Sequence, residues 1–379
     1  MFDSAEAQLA ALLQGTVEQL DISPGHYQEA VDKYHQVAEF LGAGDEYDDA
    51  DLLIYPQGSF RLGTVVLPAP GADYDIDLVL RVAIAKEATT QAELKELAGQ
   101  RLAEFVNRTS GAPRLIEGGR CWTLVWPRFH VDILPSLPNP EDLPNGILLT
   151  DRDLRLWQLS NPIGYADWFQ SRMRDQFIQQ RKVLAADRST TVDDVPQWEV
   201  KTTLQQAVQV LKRHRDLHFA NQLHLKPPSI LVTTLVGLAY GGHDDLFEAV
   251  VHVAPRLTQF VKDRNGVGWI ANPVLPEENF ADKWRTHPAR RRAFERWVSK
   301  LSKDLEEAVA QRGLDRVVAR LEDGFGDGVR IAAKDLGMTY RTGREAGVLA
   351  SAGGTGLLAS AKGGTKATRV RKHNFYGRS

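Results

Sequence analysis

Apolar residues at Leu9, Leu12, Leu13, Val17 and Leu20 recur at helical spacing, and Ser4 is placed to cap the helix they predict. Ser23-Pro24 has the cap and first-turn chemistry of a second helix, which Gly42 and Gly44 would end. From Leu52 the period changes to two. Leu52-Leu53-Ile54-Tyr55 predicts a strand running into the turn Pro56-Gln57-Gly58-Ser59. Tyr74-Asp75-Ile76-Asp77-Leu78-Val79-Leu80 predicts a strand that alternates polar and apolar through its first half. Residues 91–107 predict a helix, and 121–126 and 129–134 two further strands. Beyond Pro135 the chain is rich in Pro, Asn and Asp to about residue 163, which predicts a long connection. Helical periods then dominate, over 200–219, 229–240, 244–262 and 288–312. The Thr/Asp/Pro-containing stretch before Trp198 marks a change of domain near 190–197.

Composition adds bounds. A chain of 379 residues with 43% hydrophobic and 25% charged residues is ordinary for globular proteins and long enough for two domains. The single cysteine, Cys121, excludes a disulfide scaffold and a structural zinc site. The acidic start Met1-Phe2-Asp3-Ser4-Ala5-Glu6 lacks the basic region of a signal peptide. The longest apolar run, 230–240, is too short to span a bilayer. A cytoplasmic protein without a membrane partner is the expectation. Net charge is −3, but residues 341–379 carry eight Lys/Arg against one acid, so the first 340 residues stand at −10. Such a body is not a basic surface for gripping a long nucleic acid, and no stable nucleic-acid partner is expected. From about 346 the Gly-, Ala-, Ser- and Lys-rich tail is expected to be flexible.

The chemistry lies in an ordered set: Gly58-Ser59, then Asp75-Ile76-Asp77 sixteen residues on, then Val131-Asp132-Ile133. In a strand, Asp75 and Asp77 share a face with Cα atoms ~6.6 Å apart, while Ile76 and Leu78 point to the core. Two carboxylates on one face repel unless a cation lies between them, and hard divalent ions suit carboxylate oxygen. Asp132 is again a lone acid in an apolar strand; if that strand lies beside the first, three carboxylates converge on one spot. Such a trio suits phosphoryl or nucleotidyl transfer with two Mg²⁺ or Mn²⁺ ions. Gly58-Ser59 would let backbone amides and a hydroxyl approach phosphate closely.

Gln57-Gly58-Ser59-Phe60-Arg61-Leu62-Gly63-Thr64 with Tyr74-Asp75-Ile76-Asp77-Leu78 resembles the polymerase-β-type nucleotidyltransferases. Within them the chain most resembles the bacterial cyclic GMP-AMP-synthase-like and dinucleotide-cyclase-like enzymes (CD-NTases) of anti-phage CBASS signalling. Residues 161–169, 211–216 with 226–229, and 272–284 are similar to stretches of the same family, so the resemblance covers roughly 50–300. It implies an α+β fold: a mixed-sheet catalytic core over 1–195, a helical lobe over 196–345, a basic tail over 346–379, and an active site in the cleft between the lobes. It further implies nucleoside triphosphate substrates and a cyclic di- or trinucleotide product. Asp75, Asp77 and Asp132 would be the catalytic and metal-binding acids, and Gln57, Gly58 and Ser59 would cradle the donor phosphates. Lys212 and Ser229 would hold the triphosphate from the helical lobe.

Read from the residues alone, Lys212 flanks the apolar stripe of its helix, where a lysine ordinarily faces solvent, and Ser229 after Pro227-Pro228 is an ordinary helix cap. His214 and His218 show no evident carboxylate partner and read as structural, as do Cys121, Trp122 and Trp126. The arginines at 285, 290–292 and 296 read as a solvated face paired with acids such as Glu295. The tail sequence 369–377 resembles C-termini that a ubiquitin-transfer-like partner conjugates at a terminal glycine, although Arg378-Ser379 follow Gly377 here. Three other functions are weighed on the residues: a templateless RNA nucleotidyltransferase, disfavoured by the acidic body; a nucleotide-binding sensor without turnover, disfavoured by the intact carboxylate trio; and a transferase that adenylylates a small molecule or protein, which leaves the second lobe unexplained.

Overall fold

The computed structural model describes residues 5–43, 52–67, 74–111, 113–151, 157–188, 191–192, 199–311, 314–345, 349–352, 358–360 and 367–369. In chain order these form α1 (Ala5–Glu18), α2 (Pro24–Gly42), β1 (Leu52–Gln57), α3 (Gly58–Leu62), β2 (Tyr74–Val82), α4 (Gln91–Arg108), β3 (Arg114–Glu117), β4 (Trp122–Val125) and β5 (Phe129–Pro138). There follow β6 (Ile147–Leu149), β7 (Gln158–Ser160), α5 (Pro162–Ser171), α6 (Arg174–Asp187), α7 (Thr203–His218), α8 (Ser229–Ala239) and α9 (Leu246–Val253). The chain continues through β8 (Lys262–Arg264), β9 (Val267–Trp269), β10 (Ala271–Asn272), β11 (Leu275–Asn279), α10 (Pro288–Ala310), α11 (Leu314–Phe325) and α12 (Gly328–Glu345). Last come β12 (Leu349–Ala352), β13 (Leu358–Ser360) and β14 (Ala367–Arg369). No described helix is long and apolar enough to cross a membrane.

The elements separate into a sheet unit, Asp21–Lys201 with Trp269–Ala281, and a helical unit, Met1–Leu20 with Thr202–Gly268 and Asp282–Ser379. Two segments group otherwise than the expected 1–195 and 196–345. Helix α1 joins the helical unit because its apolar stripe, Leu9, Leu12, Leu13 and Val17, is buried there against α7, α9 and α12. Residues 269–281 join the sheet unit, where the Phe280 ring meets Tyr165 edge-on at 5.9 Å.

The sheet is mixed and runs β1-β2-β5-β4-β3. β2 and β5 are parallel, and the other neighbours are antiparallel. A parallel pair needs a crossover, here α4 and the β3–β4 hairpin. A capping box starts α4, with Thr90 and Glu93 exchanging hydrogen bonds with each other's backbone. One face of the sheet is packed by α2 and α4 through Val37, Leu41, Leu94, Leu102 and Phe105. β2 is central, so its second half is buried on both faces and the polar/apolar alternation stops there. The Pro/Asn/Asp-rich stretch, expected as a connection only, also contains β6 and β7. They extend the sheet from the second half of β5, because Ile147-Leu148-Leu149 is apolar enough to bury completely.

The helical unit centres on α7, whose capping box joins Thr202 and Gln205 and whose Leu204, Ala207, Val208 and Leu211 are fully buried. Where a flexible tail was expected, β13, β12 and β14 pair as a small antiparallel sheet, since backbone pairing asks little of side-chain size. The tail segment read for conjugation, beyond Arg369, lies outside the described residues.

Candidate active site

The site is built from β1, α3, β2 and β5. Ile76, Leu78, Val131 and Ile133 are fully buried on one face of β2 and β5. Period two then puts Asp75, Asp77 and Asp132 on the other face. The parallel register makes Asp77 the neighbour of Asp132, and Asp75 the neighbour of His130. From the opposite side β1 brings Gln57 beside Asp77, and the chain turns there into α3 at Gly58, with φ at 64°. A Cβ built on Gly58 falls on the Asp77 carboxylate oxygen Oδ2. Glycine is therefore required twice, for its left-handed backbone and for room beside the acid. The α3 turn is anchored by buried Phe60, stacked on Tyr27 at 4.6 Å, and by Leu62.

Asp132 is positioned from its other neighbour. Thr123, its register partner on β4, donates a hydrogen bond of 2.5 Å to Oδ1. The strand carrying Thr123 is seated by Trp122, whose ring packs where a side chain on Gly99 of α4 would stand and whose Nε1 donates to the Lys95 carbonyl at 2.8 Å. The buried Lys95 ammonium binds the Gly118 carbonyl, the Gly119 carbonyl at 3.1 Å and Glu117 at 3.1 Å, which fixes the β3–β4 turn. Cys121 lies in the field of these acids. Burial pushes its thiol up to about 11, and the charges of Asp132 and Asp77 add to that. Cys121, expected within the strand over 121–126, precedes β4 and is partly exposed.

Convergence of the three acids is met by the register and not by the side chains as they stand. Among the described residues no three of His, Cys, Asp or Glu form a group that could hold a metal ion. Thr123 holds Asp132, the Asp75 carboxylate lies 3.6 Å from His130 Nδ1, and like charges without a counter-ion gain nothing by approaching. The donor set still fits hard divalent ions: carboxylate oxygens only, two of them in register, with a glycine keeping the approach to Asp77 clear. His130 and Thr123 were missed in the sequence. His130 was legible, because period two from Asp132 puts it on the acid face; Thr123 needed the β4–β5 register.

Lys212 and Ser229 lie on the helical unit, on α7 and α8, which pack together. Lys212 is buried, at 4% exposure, and does not face solvent. The cap of α8 is Pro228 and not Ser229, which is the first helical residue and exposed. A residue missed by the sequence reading, Arg215, donates to the Ser229 hydroxyl at 3.2 Å. His214 does have a carboxylate partner: its Nε2 lies 3.0 Å from Asp304, while Trp297 donates to its Nδ1 at 3.0 Å. Helices α7 and α10 bring these residues together across ninety positions of sequence, beyond the reach of a local motif. On the arginine face Arg291 is paired as expected, bonding Glu295 at 3.1 Å.

No family model matches the chain. A c-di-GMP synthase of Roseivirga ehrenbergii is 24% identical over 382 residues, covering 99% of this chain and 98% of the relative. The cyclic dinucleotide synthase CdnG of Bradyrhizobium diazoefficiens is 24% identical over 364 residues, covering 89% and 85%. A solved structure of that CdnG in complex with GTP superposes with a TM-score of 0.69 at 22% identity, over 87% of this chain and 99% of that one. The chain is thus similar along nearly its whole length to cyclic dinucleotide synthases, and its mixed sheet with helices has the polymerase-β-like fold of the solved CD-NTase CdnG.

Proposed function

We propose that this protein joins nucleoside triphosphates into a cyclic di- or trinucleotide second messenger, releasing pyrophosphate, as an enzyme of anti-phage defence. The observation that carries the reading is the register of Asp77 with Asp132, with Gly58 lying against Asp77. Two relatives named as cyclic dinucleotide synthases support the product class.

Asp75, Asp77 and Asp132 would hold two Mg²⁺ or Mn²⁺ ions, which when bound neutralise charge on the triphosphate and activate the attacking hydroxyl. In each round a ribose hydroxyl oxygen bonds to the α-phosphorus of the donor, and the bond from that phosphorus to the bridging oxygen breaks. Pyrophosphate carries away the electron pair. Asp132, its rotamer held by Thr123, accepts the hydroxyl proton. Gln57, Gly58 and Ser59 supply backbone amides and a hydroxyl to the donor phosphates, and Lys212 and Ser229 of the helical unit hold the triphosphate tail. The last round, on the linear intermediate, closes the ring: the second for a dinucleotide, the third for a trinucleotide.

Purified protein is incubated with four radiolabelled nucleoside triphosphates and Mg²⁺ or Mn²⁺, treated with phosphatase, and the products separated. The expected result is a discrete phosphatase-resistant species that vanishes in the Asp75→Ala, Asp77→Ala double variant while that variant stays folded. A resistant product from the double variant removes the assignment of the acids; extension of added RNA in place of a cyclic product establishes the tailing function instead.

A further inference from the structure

We propose that Arg215 is a positioning residue that makes the Ser229 hydroxyl a hydrogen-bond donor to the phosphates of the donor nucleotide. This rests on the assignment of Ser229 to the triphosphate. Lys212, Arg215 and Asp216 stand at i, i+3 and i+4 along α7 and so share one face. The Arg215 side chain is buried, at 4% exposure. Its Nη1 donates to the Pro227 carbonyl and to Ser229 Oγ, both at 3.2 Å. Its Nε and Nη2 donate to Asp216 Oδ1 at 2.9 and 2.7 Å, and Lys226 lies 3.4 Å from the same oxygen.

A guanidinium donates and never accepts, so the contact at Ser229 uses an acceptor site of Oγ. The single O–H of the serine must then point away from Arg215. Ser229 is exposed, so its O–H is left for solvent or for a ligand that reaches this helix start, and the group offered there is a donor, as phosphate oxygens require. The turn that presents it is stiff. Pro227 and Pro228 have fixed φ and no N–H, and the same Nη1 that meets Ser229 also holds the Pro227 carbonyl. Asp216 meanwhile locks the fork from behind. A lysine at 215 carries charge but no fork, and cannot hold Asp216, Pro227 and Ser229 together.

The test is a double-mutant cycle read as affinity, by calorimetry, of the full-length protein for non-hydrolysable GTP and ATP analogues and for the corresponding monophosphates. Ser229→Ala is expected to weaken the triphosphate analogue about tenfold, and Arg215→Gln and Arg215→Lys to weaken it by a similar factor. In each case monophosphate affinity changes less than about twofold. Combined with either Arg215 variant, Ser229→Ala is expected to add nothing further. Independent losses that multiply to about a hundredfold overturn the proposal, as does an equal loss for monophosphate, which is what a merely structural role of Arg215 produces. If Ser229→Ala leaves triphosphate affinity unchanged, the assignment of Ser229 has failed and the proposal falls with it. Should Arg215→Gln not fold by circular dichroism, Arg215→Lys, which keeps the buried charge of the Asp216 pair, carries the same cycle.

Discussion

Gly58→Ala separates backbone strain from damage to the acid site. At φ 64° an alanine costs about 1–2 kcal/mol of left-handed strain. At about 2–4 °C per kcal/mol for a unit of this size, the melting temperature should fall by about 2–8 °C. The second effect is local. The new methyl would occupy the place of the Asp77 carboxylate oxygen, so either that carboxylate swings off the acid face or the Gln57–Asp77 end of the β1–β2 pair opens. A misplaced reacting or charge-stabilising group costs about 100-fold in rate, and at least that loss of cyclic product is expected. Gly111→Ala is the matched control. Its φ is 67° and nothing lies within 4 Å of the added Cβ, so it bears the same strain without the collision. Product formation is followed with radiolabelled triphosphates at saturating metal, alongside thermal melts of both variants. Gly58→Ala activity within about threefold of the parent, with the Gly111-like drop in melting temperature, would refute the claim that the approach to Asp77 belongs to the site.

Two predictions concern titrating groups. Burial alone would raise the Asp304 carboxyl, but hydrogen bonds and charge from His214 and Lys300 outweigh it and hold it at about 2, against 3.8 for a free aspartate. Its stabilisation is therefore complete above about pH 4 and lost as pH falls toward 2; melts from pH 6 to pH 2.5 should steepen below 4, and Asp304→Asn should flatten that slope while costing about 3–5 kcal/mol in neutral-pH urea unfolding. With its thiol at about 11, Cys121 should be about 0.1% thiolate at pH 8, where an ordinary thiol at 9.0 is about 10%. Iodoacetamide should modify the native protein about a hundredfold more slowly than a free thiol, accelerating above pH 10; labelling at the free-thiol rate at pH 8 would contradict this environment.

Much of the site was legible because its signals are local. Alternation through Tyr74–Leu78 and 129–134 gives both acid strands, and the apolar flanks of Asp75, Asp77 and Asp132 put those acids on one face. Ser23-Pro24 capped α2 as read, with Ser23 accepting from the His26 amide. Other signals were legible but went unread. Asn265-Gly266, with φ at 54° and 77°, has the chemistry of a two-residue hairpin turn, and it joins β8 to β9. The apolar triplet 147–149 was submerged in a stretch whose Pro and Asn content suggested loop alone.

The sequence by itself determined which residues are acidic, which face of each strand they take, and where a glycine must stand, because these follow from side-chain chemistry and from a period of two along one strand. Tertiary structure alone decided that Asp77 neighbours Asp132 and Asp75 neighbours His130, since register between strands separated by some fifty residues is set by packing over α4 and the β3–β4 hairpin. It decided also that α1 serves the helical unit, that Lys212 is buried, and that His214 finds Asp304 and Arg215 finds Ser229. The last two are pairings between helices in which the cost of burying a polar group is offset only when the fold delivers its partner.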